Sequence, residues 1–436
     1  MIISPDMLVE TGFLKNQDVR VIPEFSPGKV EYEEVFGYKK KVLARAFEYF
    51  HPRSAKDRSY QDFCREQGSW LNDFAIFMAS KEFFGGRSWT KWPRDLRDRE
   101  GSALRDFSEE NSAKIEEVKF FQYLFFSQWK MLREYARSKG IKIIGDIPIY
   151  VNHDSAEVWT NRGLFKLESS GEPKCVGGVP PDYFSATGQR WGNPVYDWPK
   201  VKDTGYAWWI QRMAHNLELF DHVRIDHFRG FAAYWEIPAS EETAVKGYWV
   251  DGPREDLFNV LLARFPVIPV IAEDMGIITQ DVRDLMNKFG FPGMRVLHFA
   301  FGDDMQNNPY LPHNYISRCL VYTGTHDNNT TRGWFEYDVS ELEKKNLSGY
   351  LHKEPLKESI HEDLVRLAMT SAADVVLIPM QDFLGLGRQA RMNVPGTLKG
   401  NWRWRLSSHL ITRSLEEKIR NWVNETRRVE AEKEKV

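Results

Sequence analysis

The sequence has few cysteines, no long apolar run and almost no net charge. Its three cysteines, Cys64, Cys175 and Cys319, are odd in number and far apart, so the sequence predicts neither a disulfide framework nor a thiolate metal site. No apolar stretch has the length of a membrane-spanning helix, and the first residues do not have the pattern of a signal peptide. We therefore expect a cytoplasmic protein with no membrane partner.

The balance of charges excludes another class of partner. The 59 basic and 62 acidic side chains give a formal net charge of −3, and both signs are spread along the chain. Nucleic-acid-binding proteins need a concentrated basic surface, so no nucleic-acid partner is expected and a neutral substrate fits better. Aromatic residues make up 14% of the chain, with 15 tryptophans, which fits either a large core or rings that stack on sugar faces.

Three acidic residues follow short apolar runs that have the composition of buried strands. Asp226, Glu273 and Asp327 end the stretches VRID, VIPVIAE and LVYTGTHD. A single acid in this position is more often a salt-bridged residue than a catalytic one. Three acids in equivalent positions favour an active site, because parallel barrels place their catalytic residues at the carboxyl ends of strands.

Two of these acids have neighbours that suit the cleavage of a glycosidic bond, in which one carboxyl protonates the leaving oxygen and another attacks or stabilises the oxocarbenium-like centre. Arg224 precedes Asp226 by two residues, so it lies on the same face of the strand and can keep the pKa of Asp226 low, as a nucleophile requires. Glu273 follows an apolar strand, where burial raises a carboxyl pKa, as a general acid requires. A separation of roughly 5 Å between the two carboxyls would give a retaining reaction.

Apolar periodicity indicates that the first third of the chain is helical. The predicted helices are 38–50, 69–84 and 113–139. Before them, several prolines interrupt short apolar runs, which predicts an irregular N-terminal segment. We therefore assign residues 1–140 to this segment and a helical subdomain.

From Ile141 onward the pattern changes to apolar strands that alternate with helices. The strands are predicted at 141–151, 223–226, 267–273, 294–301, 320–327 and 375–382. Capping boxes at Ser340 and Ser414 open two of the helices. Residues 141–436 are predicted to form a catalytic α/β barrel with a long functional loop at 152–200. A closed barrel of this type needs eight strands, so the first two are expected to be missing before Ile141.

Two other interpretations of the sequence are weaker. The stretch 385–390 follows a strand and has the form of a dinucleotide-binding turn, but the residues 391–396 would break the helix that this motif requires. His227, His326 and Asp327 have metal-binding side chains, but no second ligand occurs at the helical or short-loop spacing of divalent metal sites. The sequence therefore predicts no cofactor and no metal.

Long motifs of the chain resemble the amylomaltase family, the 4-α-glucanotransferases of the α-amylase superfamily. The matching stretches cover nearly the whole chain and are Gly145–Val151, Val179–Pro194, Arg224–Phe231, Ala272–Gly276, Gly324–Thr330, Met392–Gly396 and Gly400–Trp402. The resemblance implies a TIM-type (β/α)₈ barrel with helical subdomain insertions and no metal or organic cofactor. It also implies that Asp226 is the nucleophile, Glu273 the acid/base and Asp327 the transition-state stabiliser.

The resemblance further implies which side chains bind the substrate. They are Arg224, His326, Asp146, Asp182, Tyr183, Trp191, Asn193, Gln381, Asn393 and Pro395. The implied substrates are maltooligosaccharides and other α-glucans derived from starch or glycogen.

The chain departs from this family at its start. Family members carry an upstream segment with the first strand and a loop after the second strand, whereas Met1–Asp6 corresponds to a point just after that loop. We expect a 4-α-glucanotransferase that forms a covalent glycosyl-enzyme, with a second chain as one source of the missing strands. An inactive glucan-binding remnant, one half of a split enzyme and an α-glucan hydrolase remain alternatives.

Overall fold

The computed structural model describes residues 2–181 and 185–428, and the chain divides into two compact units. Unit 1 comprises Met1–Pro23 and Glu33–Phe291, and unit 2 comprises Glu24–Tyr32 and Pro292–Val436. Both units combine helices with parallel strands. The α/β class predicted from the sequence is therefore confirmed.

The helices of unit 1 surround its sheets and fill most of the chain before the first strand. They are α1 (Pro5–Glu10), α2 (Tyr32–Phe50, which begins at the last residue of the unit 2 segment), α3 (Arg58–Glu66), α4 (Gly68–Phe83), α5 (Arg94–Arg97), α6 (Gly101–Glu110), α7 (Ser112–Ser138), α8 (Ala156–Thr160), α9 (Trp198–Asp203), α10 (Ala207–Leu219), α11 (Arg254–Arg264) and α12 (Gln280–Phe289). Helix α1 lies in the segment that was predicted to be irregular. It forms because Ser4 caps the backbone N–H of Met7 and Pro5 opens the first turn.

The strands of unit 1 form two sheets. They are β1 (Ile144–Pro148), β2 (Cys175–Val179), β3 (Gln189–Pro194), β4 (His222–Asp226), β5 (Ala233–Pro238), β6 (Tyr248–Asp251) and β7 (Val270–Ala272). The parallel sheet has the order β1–β4–β7, with Asp146 beside Arg224 and Ile225 beside Ala272. Because all three strands run in one direction, Asp226 at the end of β4 and Glu273 after β7 come to the same edge.

The segment 152–200 was predicted as one long loop, and this prediction was wrong. It contains α8, β2, β3 and the start of α9, and its strands join β5 and β6 in an antiparallel sheet of order β3–β2–β5–β6. Glycines weaken the strand signal, but the packing requires them. A Cβ atom on Gly177 would lie 2.5 Å from the ring of Tyr150, and one on Gly178 would collide with the carbonyl oxygen of Gln189.

Unit 2 is built on a second three-stranded parallel sheet of order β10–β9–β8. Its strands are β8 (Gly293–Val296), β9 (Cys319–Tyr322) and β10 (Val375–Leu377), and its helices are α13 (Thr331–Tyr337), α14 (Glu341–Leu351), α15 (Ile360–Met369), α16 (Met380–Phe383) and α17 (Arg413–Glu425). The six predicted strands are thus found in the two parallel sheets; five are shorter than predicted, and β4 begins one residue earlier than predicted. The strand predicted at 375–382 ends at Leu377, because Pro379 has no N–H to donate and the chain turns into α16.

Helix caps were predicted correctly at one of two positions. The capping box of Ser340 and Glu343 at the start of α14 is confirmed. Helix α17 begins earlier than predicted, because the hydroxyl of Thr412, and not that of Ser414, accepts the backbone N–H of Leu415 at 3.2 Å.

Among the described residues, none of the helices combines the length and the apolar composition of a membrane span.

Asp382 is a buried carboxylate that connects three parts of unit 2. It is 1% exposed and accepts hydrogen bonds from the hydroxyls of Thr323 (2.5 Å) and Thr331 (2.7 Å) and from the backbone N–H of Thr331 (2.8 Å). Thr323 follows β9, Thr331 opens α13, and Asp382 lies in α16. One carboxylate therefore fixes both ends of the loop that contains His326 and Asp327.

We expect Asp382→Ala to destabilise unit 2, because two hydroxyls and one amide would stay buried without this acceptor. The expected loss in the free energy of unfolding is about 3 kcal/mol, measured by urea denaturation. Asp374→Ala removes an exposed carboxylate of the same unit and serves as the control. An equal loss in the two variants would contradict the role given to Asp382.

Candidate active site

A buried arginine holds two carboxylates at the end of the parallel sheet of unit 1. The guanidinium of Arg224 donates to both carboxylate oxygens of Asp146 at 2.7 and 2.8 Å and to Oδ1 of Asp226 at 2.9 Å. The side chain of Arg224 is 8% exposed, whereas those of Asp146 and Asp226 are 45% and 46% exposed. The predicted pairing of Arg224 with Asp226 is confirmed, and both carboxylates are about half-exposed.

The strands explain why these three side chains meet. Asp146 and Arg224 are register partners on β1 and β4, and Arg224 and Asp226 are two residues apart on one strand face. Burial alone would lower the pKa of Arg224, but the negative charges of Asp146, Asp226 and Glu273 outweigh burial and raise this pKa above its usual value. The arginine is therefore a permanent positive charge beneath the carboxylates.

Glu273 has the environment that the sequence predicts for a general acid. It is buried directly after β7, and its two carboxyl oxygens accept the backbone N–H groups of His227 at 2.8 Å and Met275 at 2.9 Å. Burial, together with the negative charge of Asp226, raises the pKa of Glu273 to about 7, although Arg224 and the two amides act in the opposite direction. Glu273 can therefore hold or release a proton near neutral pH.

His227 shapes this site through its backbone, a role that the sequence analysis missed. Its φ of 54° is left-handed, and the resulting turn after β4 directs its N–H at Glu273. Burial first, and then the charge of Arg229, lower the pKa of the imidazole to about 3. The ring is thus neutral, and it meets the edge of the partly exposed Trp191 ring at a centroid distance of 4.8 Å. The Asp-His dipeptide after a strand, in a position that requires a turn, is the only sequence signal for this role.

Unit 2 brings His326 and Asp327 together with two residues from much later in the chain. Nε2 of His326 lies 3.3 Å from Oδ2 of Asp327, and the amide of Asn393 donates to Oδ1 of Asp327 at 2.6 Å. Arg391 donates to the backbone carbonyl of Asp327 at 2.7 Å. Asn393 was predicted from the sequence, whereas Arg391 was not, because a contact to a backbone carbonyl has no sequence signature.

The remaining predicted substrate-binding residues differ in how far they are free to bind sugar. The amide of Asn193 donates to the carbonyl of Val151 at 3.0 Å, and the buried amide of Gln381 donates to that of Ala390 at 3.1 Å, so each fixes a loop. Pro395 lies in an exposed turn. Asp182 and Tyr183 lie outside the described residues.

Within the described residues, no three side chains of His, Cys, Asp or Glu lie close enough to hold a metal ion. The glycine-rich turn that begins at Gly385 is followed by a single 3₁₀ turn at Arg388–Ala390, so no helix N-terminus is available there for a pyrophosphate.

Comparisons with known proteins identify the family. The family model described as 4-alpha-glucanotransferase matches residues 1–412. The 4-alpha-glucanotransferase of Aquifex aeolicus (strain VF5) is 46% identical over 406 residues, which are 93% of this chain and 81% of the relative. That of Thermus thermophilus is 47% identical over 410 residues, 92% of this chain and 80% of the relative.

A solved structure gives the same result for the fold. The amylomaltase from Streptococcus agalactiae in complex with acarbose superposes with a TM-score of 0.94 at 37% sequence identity, over 98% of this chain and 86% of that chain. The sequence and structure matches each span most of both proteins. The chain therefore belongs to the 4-alpha-glucanotransferase family.

Proposed function

We propose that this protein transfers α-1,4-glucan segments between maltooligosaccharides, including those derived from starch or glycogen, by a retaining double displacement. The observation that carries the proposal is the pairing of two differently held carboxyls in unit 1. Asp226 is half-exposed and bonded to a buried arginine, whereas Glu273 is buried with a pKa of about 7. Two acids in contrasting environments are what a nucleophile and a general acid require.

In the first half-reaction a carboxylate oxygen of Asp226 attacks the anomeric carbon, and the bond from that carbon to the glycosidic oxygen breaks. Glu273 gives its proton to the leaving 4-oxygen, so the first product departs as an alcohol and a glycosyl ester remains on Asp226. In the second half-reaction the 4-hydroxyl of an acceptor sugar attacks the same carbon. Its proton goes to Glu273, and Asp226 leaves as a carboxylate. Two inversions retain the α configuration.

Arg224 acts through Asp226 in this scheme. Its guanidinium donates to Oδ1 of Asp226, and a positive charge at this distance favours the ionised carboxylate that the attack requires. Asp146 shares the guanidinium and limits how it can turn. The half-exposed carboxylate of Asp226 is therefore oriented before the neutral substrate binds.

The other roles belong to the same proposal. Asp327 is the carboxylate that stabilises the oxocarbenium-like transition state, with His326 and Asn393 as the side chains that orient it. Trp191 is an aromatic surface for a sugar ring. Asp182, Tyr183, Asn193, Gln381 and Pro395 complete the proposed substrate-binding set. The hydrogen bonds of His326 and Asn393 to Asp327 support these assignments.

The same proposal includes a TIM-type barrel as the architecture of the chain. Two parallel sheets with site residues after their strands support it. Helices α1–α7 support the assignment of residues 1–140 to a helical subdomain. The two parallel sheets support the assignment of residues 141–436 to the barrel. A cytoplasmic location stays a prediction.

Incubation of the purified chain with maltotriose tests the function. Transfer should give glucose together with maltotetraose and longer oligomers, whereas a hydrolase would give only glucose and maltose, and a binding remnant would give neither.

Asp226→Asn should reduce transfer by at least about a thousandfold while glucan binding persists, because the amide cannot attack the anomeric carbon. Asp251→Asn, an exposed acid of unit 1, is the matched control. Full transfer by Asp226→Asn would remove Asp226 from its role.

Glu273→Gln should abolish transfer from maltotriose but not from a substrate whose leaving group needs no proton, such as α-maltosyl fluoride. The measurement is the rate of the first half-reaction with each donor. Glu255→Gln, an exposed glutamate of α11, should behave as wild type with both donors. If the fluoride is cleaved no better than maltotriose by Glu273→Gln, the acid lies elsewhere.

The pKa of Glu273 predicts a pH dependence. Because this pKa is raised to about 7, the proton is present below pH 7 and is lost above it. kcat/KM for maltotriose should fall about tenfold per pH unit on the alkaline side. The same profile with α-maltosyl fluoride should lack this alkaline limb. A limb of equal position with both donors would assign the ionisation to another group.

A further inference from the structure

A short segment of the N-terminal part of the chain is built into unit 2. Residues Glu24–Tyr32 belong to that unit although the chain on either side of them belongs to unit 1. The N–H of Val30 donates to the carbonyl of Arg403 at 2.7 Å, and the N–H of Arg405 donates to the carbonyl of Gly28 at 3.0 Å. The segment is thus paired, backbone to backbone, with the stretch that follows Trp402.

Trp402 has a strained backbone. Its φ is +60°, a left-handed conformation that is unfavourable for a bulky residue. Two hydrogen bonds hold it there. Its N–H donates to the carbonyl of Met392 at 2.6 Å, and its carbonyl accepts the phenol hydroxyl of Tyr32 at 2.6 Å. Both the N–H and the carbonyl of this strained residue are fixed by hydrogen bonds, which indicates a functional conformation.

Packing does not explain why the loop Met392–Trp402 holds its shape. A cavity of about 590 Å³ lies between the segment, which contributes Lys29, and the residues that flank the loop, among them Arg391, Arg403 and Trp404. At the tip of the loop, Leu398 is fully exposed. Hydrogen bonds, including that of Tyr32, are therefore what fix the position of Trp402.

Both ends of this loop contact the His326–Asp327 pair. At the end of the loop, the ring of Trp402 lies against the imidazole of His326 with centroids 5.3 Å apart and planes tilted by 36°. At its start, the N–H of Asn393 donates to the carbonyl of His326 at 3.1 Å, and its amide donates to Asp327. The loop therefore restrains the backbone of His326 from one side and its ring from the other.

We propose that Trp402 is a positioning residue that fixes the imidazole of His326 beside Asp327, and that the phenol of Tyr32 is the latch that holds Trp402 in place. The inference rests on the proposed transferase function for its kinetic consequence, because His326 and Asp327 have roles only in that reaction. Loss of the latch lets Trp402 relax to a right-handed conformation. The ring then leaves His326, and the imidazole can turn away from Asp327.

The first test is independent of activity. The protein contains 11 histidines, so their Cε1–H resonances can be resolved by selective labelling, and His326→Gln assigns the signal of His326. Tyr32→Phe and Trp402→Leu should both shift that signal through the changed ring current, while the other histidine signals stay in place and report an intact fold. Tyr337→Phe, an exposed tyrosine of unit 2, should shift nothing. An unmoved His326 signal in Tyr32→Phe overturns the proposal.

The second test asks whether Tyr32 acts through Trp402. Tyr32→Phe should lower kcat for maltotriose transfer by about three- to tenfold with little change in KM, because Asp327 acts in the transition state. In a Trp402→Leu background the same change should have no further effect, and Trp402→Phe should retain more activity than Trp402→Leu. Independent, multiplicative losses would overturn the latch. If the wild type shows no transfer, the proposed function fails, while the resonance of His326 still decides the positioning role.

Discussion

The buried charge of Arg224 is the constraint on which the site in unit 1 depends. A guanidinium removed from water is costly unless anions face it, and the loss of one partner leaves an uncompensated charge. Asp226 faces it because the two residues lie on one face of β4, whereas Asp146 faces it only if β1 and β4 pair in the observed register. A shift by one residue would turn Asp146 to the other side of the sheet. The ion pair of Asp146 with Arg224 therefore favours the observed register.

The same cation has different effects on the two reactive carboxyls. It bonds directly to the half-exposed Asp226, whereas it only moderates the pKa of the buried Glu273, where burial and the charge of Asp226 prevail. The left-handed turn at His227 completes this asymmetry, because it gives Glu273 a backbone donor without adding a charge. Asp226 therefore lies beside a fixed positive charge, whereas the pKa of Glu273 lies near neutrality.

Unit 2 holds the pair of His326 and Asp327 in a different way. Asp382 anchors both ends of the loop that carries His326 and Asp327, and the loop Met392–Trp402 restrains the pair from the side. The partners of this arrangement come from three stretches of the chain, 323–331, Asp382 and 392–402. Such an arrangement is stable only when every buried donor has its acceptor, which is why one carboxylate with three donors has so much influence.

Local patterns of residues predict the six parallel strands, the main helices and the acids after the strands, because apolar periodicity and strand-end position are local properties of the chain. The sequence also predicted the pairing of Arg224 with Asp226, since two residues on one strand face must be neighbours. It did not predict β2 and β3, because glycines needed for close packing conceal the strand pattern, nor the cap of α17, where two hydroxyl residues stand close together. The folded structure is needed to see three further sets of contacts. Asp146 also accepts hydrogen bonds from Arg224, and backbone amides donate to Glu273. Arg391, Asp382 and Tyr32 form hydrogen bonds that hold the loops around Asp327. These contacts join residues far apart in the chain through registers and backbone carbonyls, and no local pattern of residues encodes them.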